Sequence, residues 1–176
     1  MIDAIIKCKK ILLGILERLV CLLLVGLVFV VLWGIFTALM LKVEFFRSFI
    51  SAKSNQWVQD VASIMFIWLS TLGTAVAFST QAHLGVDVLV RAFDDATAKL
   101  TRIIVHMLVI IFSAAIFVYG GILLVCKTLA WQSVYPVIGI PKGYVYMAVP
   151  IAGIFIIMFA VEAIIEEKLS EKGQVI

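Results

Sequence analysis

Apolar and polar positions along this chain fall into long blocks. No formal charge lies between Leu19 and Leu41, between Val61 and Gln81, between Ile103 and Cys126, or between Gly143 and Val161. A helix rising ~1.5 Å per residue needs about 20 apolar residues to cross a ~30 Å hydrocarbon layer, and each block is about that long. Charged residues gather where the blocks end, as they must where a spanning helix meets water. The pattern predicts an all-α integral membrane protein of one membrane domain. Its four transmembrane helices are expected at about residues 15–41, 57–78, 103–126 and 143–165.

Between the second and third blocks the texture changes. His83, Asp87, Arg91, Asp95 and Lys99 recur every fourth residue, and Val86, Leu89, Val90, Phe93 and Leu100 fill the other side. That is the period of an amphipathic helix. So short a segment between two spans suits an interfacial helix lying in the membrane plane, over about residues 83–101. Gly85 puts its start after the glycine rather than before it. Asp87 and Arg91 are spaced for an i,i+4 ion pair.

Composition agrees with the pattern. Hydrophobic residues make up 64% and charged residues 14%, with a mean hydropathy of +1.19. Soluble domains sit nearer ~45–50% and ~25%. A net charge of +3 spread over the whole chain gives no footprint for nucleic acid. Cys8, Cys21 and Cys126 read as unpaired thiols used as small apolar residues. The first block is too long for a signal peptide and no small-residue cleavage site follows it, so an uncleaved first span is expected. Of the 14 Lys and Arg, Lys42, Arg47, Lys53, Lys127 and Lys142 fall in the first and third loops; the rest fall with the termini and the middle segment. The positive-inside rule then places both termini in the cytoplasm.

Catalytic chemistry is missing from the pattern. There is no phosphate loop, no G-x-G-x-x-G and no H-E-x-x-H. His83 and Asp87 share a spacing that could offer two metal ligands, too few for a closed site. His106, near the start of the third span, reads as an interfacial histidine. The mid-span polar side chains are Thr37, Ser70, Thr71, Thr74 and Ser113, which can bond back to their own helices. A transporter acting alone usually keeps ionisable groups inside the bilayer. The expectation is therefore a packing subunit, against two alternatives: a self-sufficient small transporter or exporter, and a membrane anchor for another complex. The third loop, Lys127 to Lys142, carries Pro136 and Pro141, which forbid a regular helix. It is also apolar enough, with Trp131, Tyr135, Val137, Ile138 and Ile140, to be a partner surface. In the fourth block Pro150 should kink the helix, and Glu162 onward reads as a solvated, mixed-charge extension.

Three groups of residues carry a likeness. They are Trp57-x-x-Asp60 followed by Phe66 to Ala75; Ala82-His83-x-x-x-Asp87; and Leu129-x-x-Gln132, Pro136, Ile140-Pro141-x-Gly143-Tyr144, Tyr146 and Pro150. In this order they resemble the DctQ-like small membrane subunit of tripartite ATP-independent periplasmic (TRAP) transporters. The chain departs from the family's habit at Gln59, at Ser63 and at Ser79-Thr80-Gln81, where the family often has charged residues. The resemblance implies a multi-pass subunit of the bacterial inner membrane. Its expected partners are a large multi-span subunit, which carries substrate and sodium, a periplasmic substrate-binding protein, and membrane lipid. The substrate would be a carboxylate of the C4-dicarboxylate or sialic acid type. No cofactor is expected in this chain. Partner-interface candidates are Arg47, Lys53, Trp57, Asp60, His83, Asp87, Arg91, Trp131, Gln132 and Lys142.

Overall fold

The computed structural model describes residues 2–40, 56–90 and 95–173. In chain order the elements are α1 (Ile2–Met40), α2 (Gln56–Val90), α3 (Asp95–Phe112), a π-helical segment (Ser113–Gly120), α4 (Gly121–Ala130), α5 (Lys142–Tyr146) and α6 (Ala148–Gly173). In hydrocarbon no water can pair an exposed N–H or C=O, so an apolar block of spanning length has to close its bonds within a helix. Among the described residues four stretches are long and apolar enough to cross a membrane: Ile11–Met40, Gln56–Thr80, Leu100–Ala130 and Lys142–Ile165. They differ in how far the chain itself covers them: over an apolar window of 18 residues, 6% of the first is buried, against 44% of the last.

The end expected near Phe78 is absent. Helix α2 continues through Gly85 to Val90. A mid-helix glycine costs about 1 kcal/mol relative to alanine, too little to stop a helix whose neighbouring turns pair every backbone group. Residues 95–101, expected as the tail of a separate interfacial helix, are instead the first turns of α3. The amphipathic stretch is thus helical on both sides of residues 91–94 and continuous with α2 and α3, while the candidate spans themselves end at Thr80 and resume at Leu100. Periodicity is the same in a separate helix and in the continuation of one, so it could not tell these apart.

Contacts divide the chain into two compact units, one of Met1–Gly73 with Leu124–Ala148 and one of Thr74–Leu123 with Val149–Ile176. In the first unit α1 meets α2 at Gly26, where an added Cβ would lie 2.6 Å from the Met65 methyl. Gly143, the second residue of α5, seats on α4: a Cβ there would fall 2.5 Å from Leu129 Cγ and 3.3 Å from the Val125 carbonyl. The Pro141-x-Gly143 spacing therefore serves a close approach.

In the second unit the contacts run between the π segment with α4's first residue and α6. Gly121 faces Pro150, and Gly153 faces Phe117 and Val118. Ser113 donates from Oγ to the Gly153 carbonyl at 3.1 Å and is 1% exposed. This departs from the expectation that mid-span hydroxyls bond back to their own helices. Thr37, which bonds the Trp33 and Gly34 carbonyls, and Thr71, which bonds those of Ile67 and Trp68, do follow it. Ser113→Ala should cost about 1 kcal/mol, the net worth of such a bond. Thermal unfolding in detergent should then register a fall of roughly 2–4 °C; an unchanged melting point would mean that the bond contributes nothing.

The fourth span is interrupted rather than kinked at Pro150. Helix α5 ends at Tyr146, Met147 is a turn, and α6 starts at Ala148. Proline has no N–H, so Pro150 cannot donate to the Tyr146 carbonyl, and the ladder breaks just upstream. Glu162, expected in a solvated tail, is buried, as is His106, whose ring meets Phe78 edge-on at 6.4 Å between centroids. Both residues are engaged in further contacts.

Candidate functional site: a clasped loop between the last two spans

The residues from Trp131 to Pro141 form a tight, ordered turn outside the membrane-spanning stretches. Its entry is a helix cap. The Ser133 amide donates to the Thr128 carbonyl and the Gln132 amide to that of Leu129, the two bonds of a Schellman motif. Gln132 supplies the left-handed residue, with φ 49°. A non-glycine there carries about 1–2 kcal/mol of steric strain.

Beyond the cap the chain folds back on itself. Val134 and Pro141 form an antiparallel bridge, the Lys142 amide donates to the Ser133 carbonyl at 2.9 Å, and the Tyr135 amide donates to that of Ile140 at 3.0 Å. The tip closes with the Gly139 amide donating to the Tyr135 carbonyl at 2.8 Å, and Gly139 takes φ 73° as only glycine does freely. Pro136 and Pro141 bring no amide that would need a partner.

Asp60 ties this loop to α2. Its carboxylate Oδ2 accepts the Val137 amide at 3.1 Å, across 77 residues of sequence. Sequence reasoning named Asp60 as a partner-interface candidate and gave it no partner within the chain, because nothing in spacing could announce one so far along it. The carboxylate is 8% exposed, so the bond is charge-assisted and shielded from water. Beneath it Tyr135 is buried, whereas the sequence suggested an exposed apolar position. Burial, then Tyr146 and the Asp60 charge, push its phenol pKa up, so it stays protonated at neutral pH. The Lys142 ammonium lies 5.4 Å from the centre of the Tyr135 ring, a cation–π contact.

The structure thus brings together Asp60, Gln132 and Lys142 of the expected interface residues, through one loop. Trp131 stands at its edge, 76% exposed, with Val134, Val137 and Ile140 also exposed. Trp57, one turn before Asp60, lines an apolar groove of about 310 Å³ with Phe29, Val30 and Trp33. His83 and Asp87 lie on α2, their side chains outside what the structure describes, and Arg47, Lys53 and Arg91 lie outside the described residues. Among the described residues no three His, Cys, Asp or Glu converge as metal ligands.

Four apolar helices and a clasped loop define a multi-pass, all-helical membrane protein. The profile of the family described as tripartite ATP-independent periplasmic transporters, DctQ component, matches residues 44–168, well over half of the chain. The chain belongs to this family: it is a small membrane subunit of a TRAP transporter and not an enzyme. Relatives point the same way. A TRAP transporter small permease protein of Haemophilus influenzae is 29% identical over 129 residues, covering 69% of this chain and 76% of the relative. The C4-dicarboxylate TRAP transporter small permease protein DctQ of Rhodobacter capsulatus is 27% identical over 94 residues, covering 53% of this chain and 41% of DctQ. The sialic acid TRAP transporter permease protein SiaT of Haemophilus influenzae is 26% identical over 141 residues, covering 78% of this chain but 21% of SiaT.

Proposed function

We propose that this chain braces the large subunit of a sodium-coupled importer in the bacterial inner membrane, with both termini in the cytoplasm. The substrate is a carboxylate handed over by a periplasmic binding protein. The observation that carries the reading is the lack of a polar path: no Asp, Glu, Lys or Arg falls between Leu19 and Leu41, Val61 and Gln81, or Ile103 and Cys126. Thr37 and Thr71, the mid-span hydroxyls above, spend their protons on their own helix backbones. The charged and histidine side chains that do fall within the candidate spans, such as Asp60, His106 and Glu162, lie within about two turns of a span end, so the middle of the layer lacks the groups with which a lone transporter binds substrate or coupling ion. The names of the relatives, one for sialic acid and one for C4-dicarboxylate, support a carboxylate substrate. SiaT is several times longer than the match, which fits a small subunit that works beside a large permease.

On this reading the loop from Trp131 to Pro141 faces the periplasm and helps dock the binding protein, together with Arg47 and Lys53. The segment from His83 to Arg102 sets the depth of the complex at the cytoplasmic side, with Asp87 and Arg91 at that interface. Liposomes holding this chain, with and without the large subunit, test the proposal under a sodium gradient with a loaded binding protein. Carboxylate uptake is expected only with both chains present. Uptake by this chain alone would overturn the bracing role and favour a self-sufficient small transporter.

A further inference from the structure

Tyr119 carries a hydroxyl deep in the third span. It falls inside the charge-free stretch from Ile103 to Cys126, within the candidate span Leu100–Ala130 and on the π-helical segment Ser113–Gly120. Lys127, the nearer charged residue along the chain, is about two turns of helix further on. Helical side chains lean toward the N-terminal end, so the phenol leans back to mid-span rather than toward Lys127. The residue is 67% exposed. Tyrosines of membrane proteins gather at the interfaces, as Tyr144 does near the start of the fourth span. The other mid-span hydroxyls are engaged within this chain: Thr37 and Thr71 bond back to their own helices, Ser113 bonds the Gly153 carbonyl, and Ser70 and Thr74 also make contacts. Short hydroxyl side chains lie near enough to the backbone to do this. A phenol oxygen, at the far end of its ring, does not. Among the described residues no group bonds the Tyr119 hydroxyl.

We propose that Tyr119 marks the face of the third span that packs against a transmembrane helix of the large subunit, and that its phenol donates to an acceptor on that helix. The inference rests on the proposed function and deepens it, by naming where on this chain the large subunit sits. Depth excludes other occupants. A soluble binding protein and lipid head groups both stay outside the hydrocarbon. Acyl chains have nothing that accepts a hydrogen bond, and a hydroxyl left unpaired among them is costly. A protein segment at the same depth is the surface that matches. The relative SiaT points to the large subunit rather than to a second copy of this chain: the part of SiaT similar to this chain makes up 21% of that permease. There the equivalent spans belong to one polypeptide with a much larger remainder. Ala114 and Ala115, about one π turn before Tyr119, are exposed as well, and leave room for a partner backbone to come close. The partner helix should offer a serine, threonine, asparagine or glutamine there, or a carbonyl freed by a break in the helix.

The test places p-benzoylphenylalanine, a photoreactive analogue of tyrosine, at position 119 of the full chain, purified with the large subunit in nanodiscs. Irradiation should join the two subunits. A product of this chain with itself, or adducts to lipid alone, would overturn the inference. Tyr119→Phe keeps the ring and removes the donor. The complex should then dissociate about threefold to tenfold more readily, the range for one hydrogen bond between membrane helices. The isolated chain should melt as before, because nothing within it uses the hydroxyl. Dissociation unchanged in Tyr119→Phe would overturn the role given to the hydroxyl. A lower melting temperature of the isolated variant would overturn it too, by assigning the hydroxyl to this chain's own fold. Failure of the proposed function looks different. If the native chain does not copurify with the large subunit, the bracing role fails and the inference with it. If the two copurify and position 119 labels only lipid, the bracing role stands and the face is wrong.

Discussion

Replacing Asp60 with alanine is expected to release the loop from Trp131 to Pro141 while the four spans stay helical. The carboxylate links α2 to the loop through the Val137 amide at 3.1 Å. A hydrogen bond to a charged acceptor is worth about 1.5–3 kcal/mol, and this one is largely shielded from water. The loop's own bonds, Tyr135 to Ile140 and Lys142 to Ser133, would remain, so its shape should loosen rather than vanish. Hydrogen exchange read by mass spectrometry should show the peptide around residues 133–140 opening about 10–100-fold more readily, at ~1.4 kcal/mol per factor of ten. Asp60→Asn keeps an acceptor without the charge and should recover part of the protection. Uptake by the reconstituted transporter should fall with the alanine variant, because Trp131 and Gln132 would no longer be held in one place. Exchange that is the same in Asp60→Ala and native protein would show that the loop is fixed by other contacts and that the clasp is incidental.

The clasp also shows which parts of this protein a reader of sequence can reach. Four spans followed from blocks without charge, because the bilayer imposes one length scale on every helix that crosses it. Order along the chain was enough to name the family, since Trp57-x-x-Asp60 and Pro141-x-Gly143 each stand in the right block. What joins those two motifs was not readable. The partner of Asp60 is a backbone amide, which has no letter of its own in a sequence. Ser113 has the same difficulty, since its acceptor is the carbonyl of Gly153. Ends were harder than middles. Gly85 looked like a boundary yet sits within α2, and Pro150 looked like a kink yet the helix is interrupted at Met147. In both cases local propensity of about 1–3 kcal/mol competed with backbone pairing that the pattern does not display. Glu162 was assigned to water by its charge and its place near the end of the apolar block, but it is buried.

Gly153 should be the least replaceable glycine of the second unit. A Cβ at this position would lie 2.6 Å from Phe117 Cβ, 3.1 Å from Val118 Cγ2 and 3.3 Å from the Phe117 carbonyl carbon. Two of these obstacles are a Cβ and a backbone atom, which cannot swing aside like the tip of a long side chain. Alanine would therefore force the helices apart by a few tenths of an ångström or more, and overpacking of this kind costs about 1–3 kcal/mol. Separation would also stretch the Ser113 bond to the Gly153 carbonyl, so the two losses share one contact. The expected fall in melting temperature is roughly 3–10 °C for Gly153→Ala, and more for Gly153→Val. Gly73 makes the comparison sharp, because nothing lies within 4 Å of its Cβ position. Gly73→Ala should leave stability unchanged or raise it by up to about 1 kcal/mol through helix propensity alone. The double variant Ser113→Ala with Gly153→Ala should lose less than the two single losses added, as changes at one contact do. Packing of small residues is what holds helices together in lipid, where burial of apolar surface gives no advantage over the acyl chains. A Gly153→Ala protein that melts with the native one would therefore remove the close contact between the π segment and α6, and with it the reason for the buried Ser113.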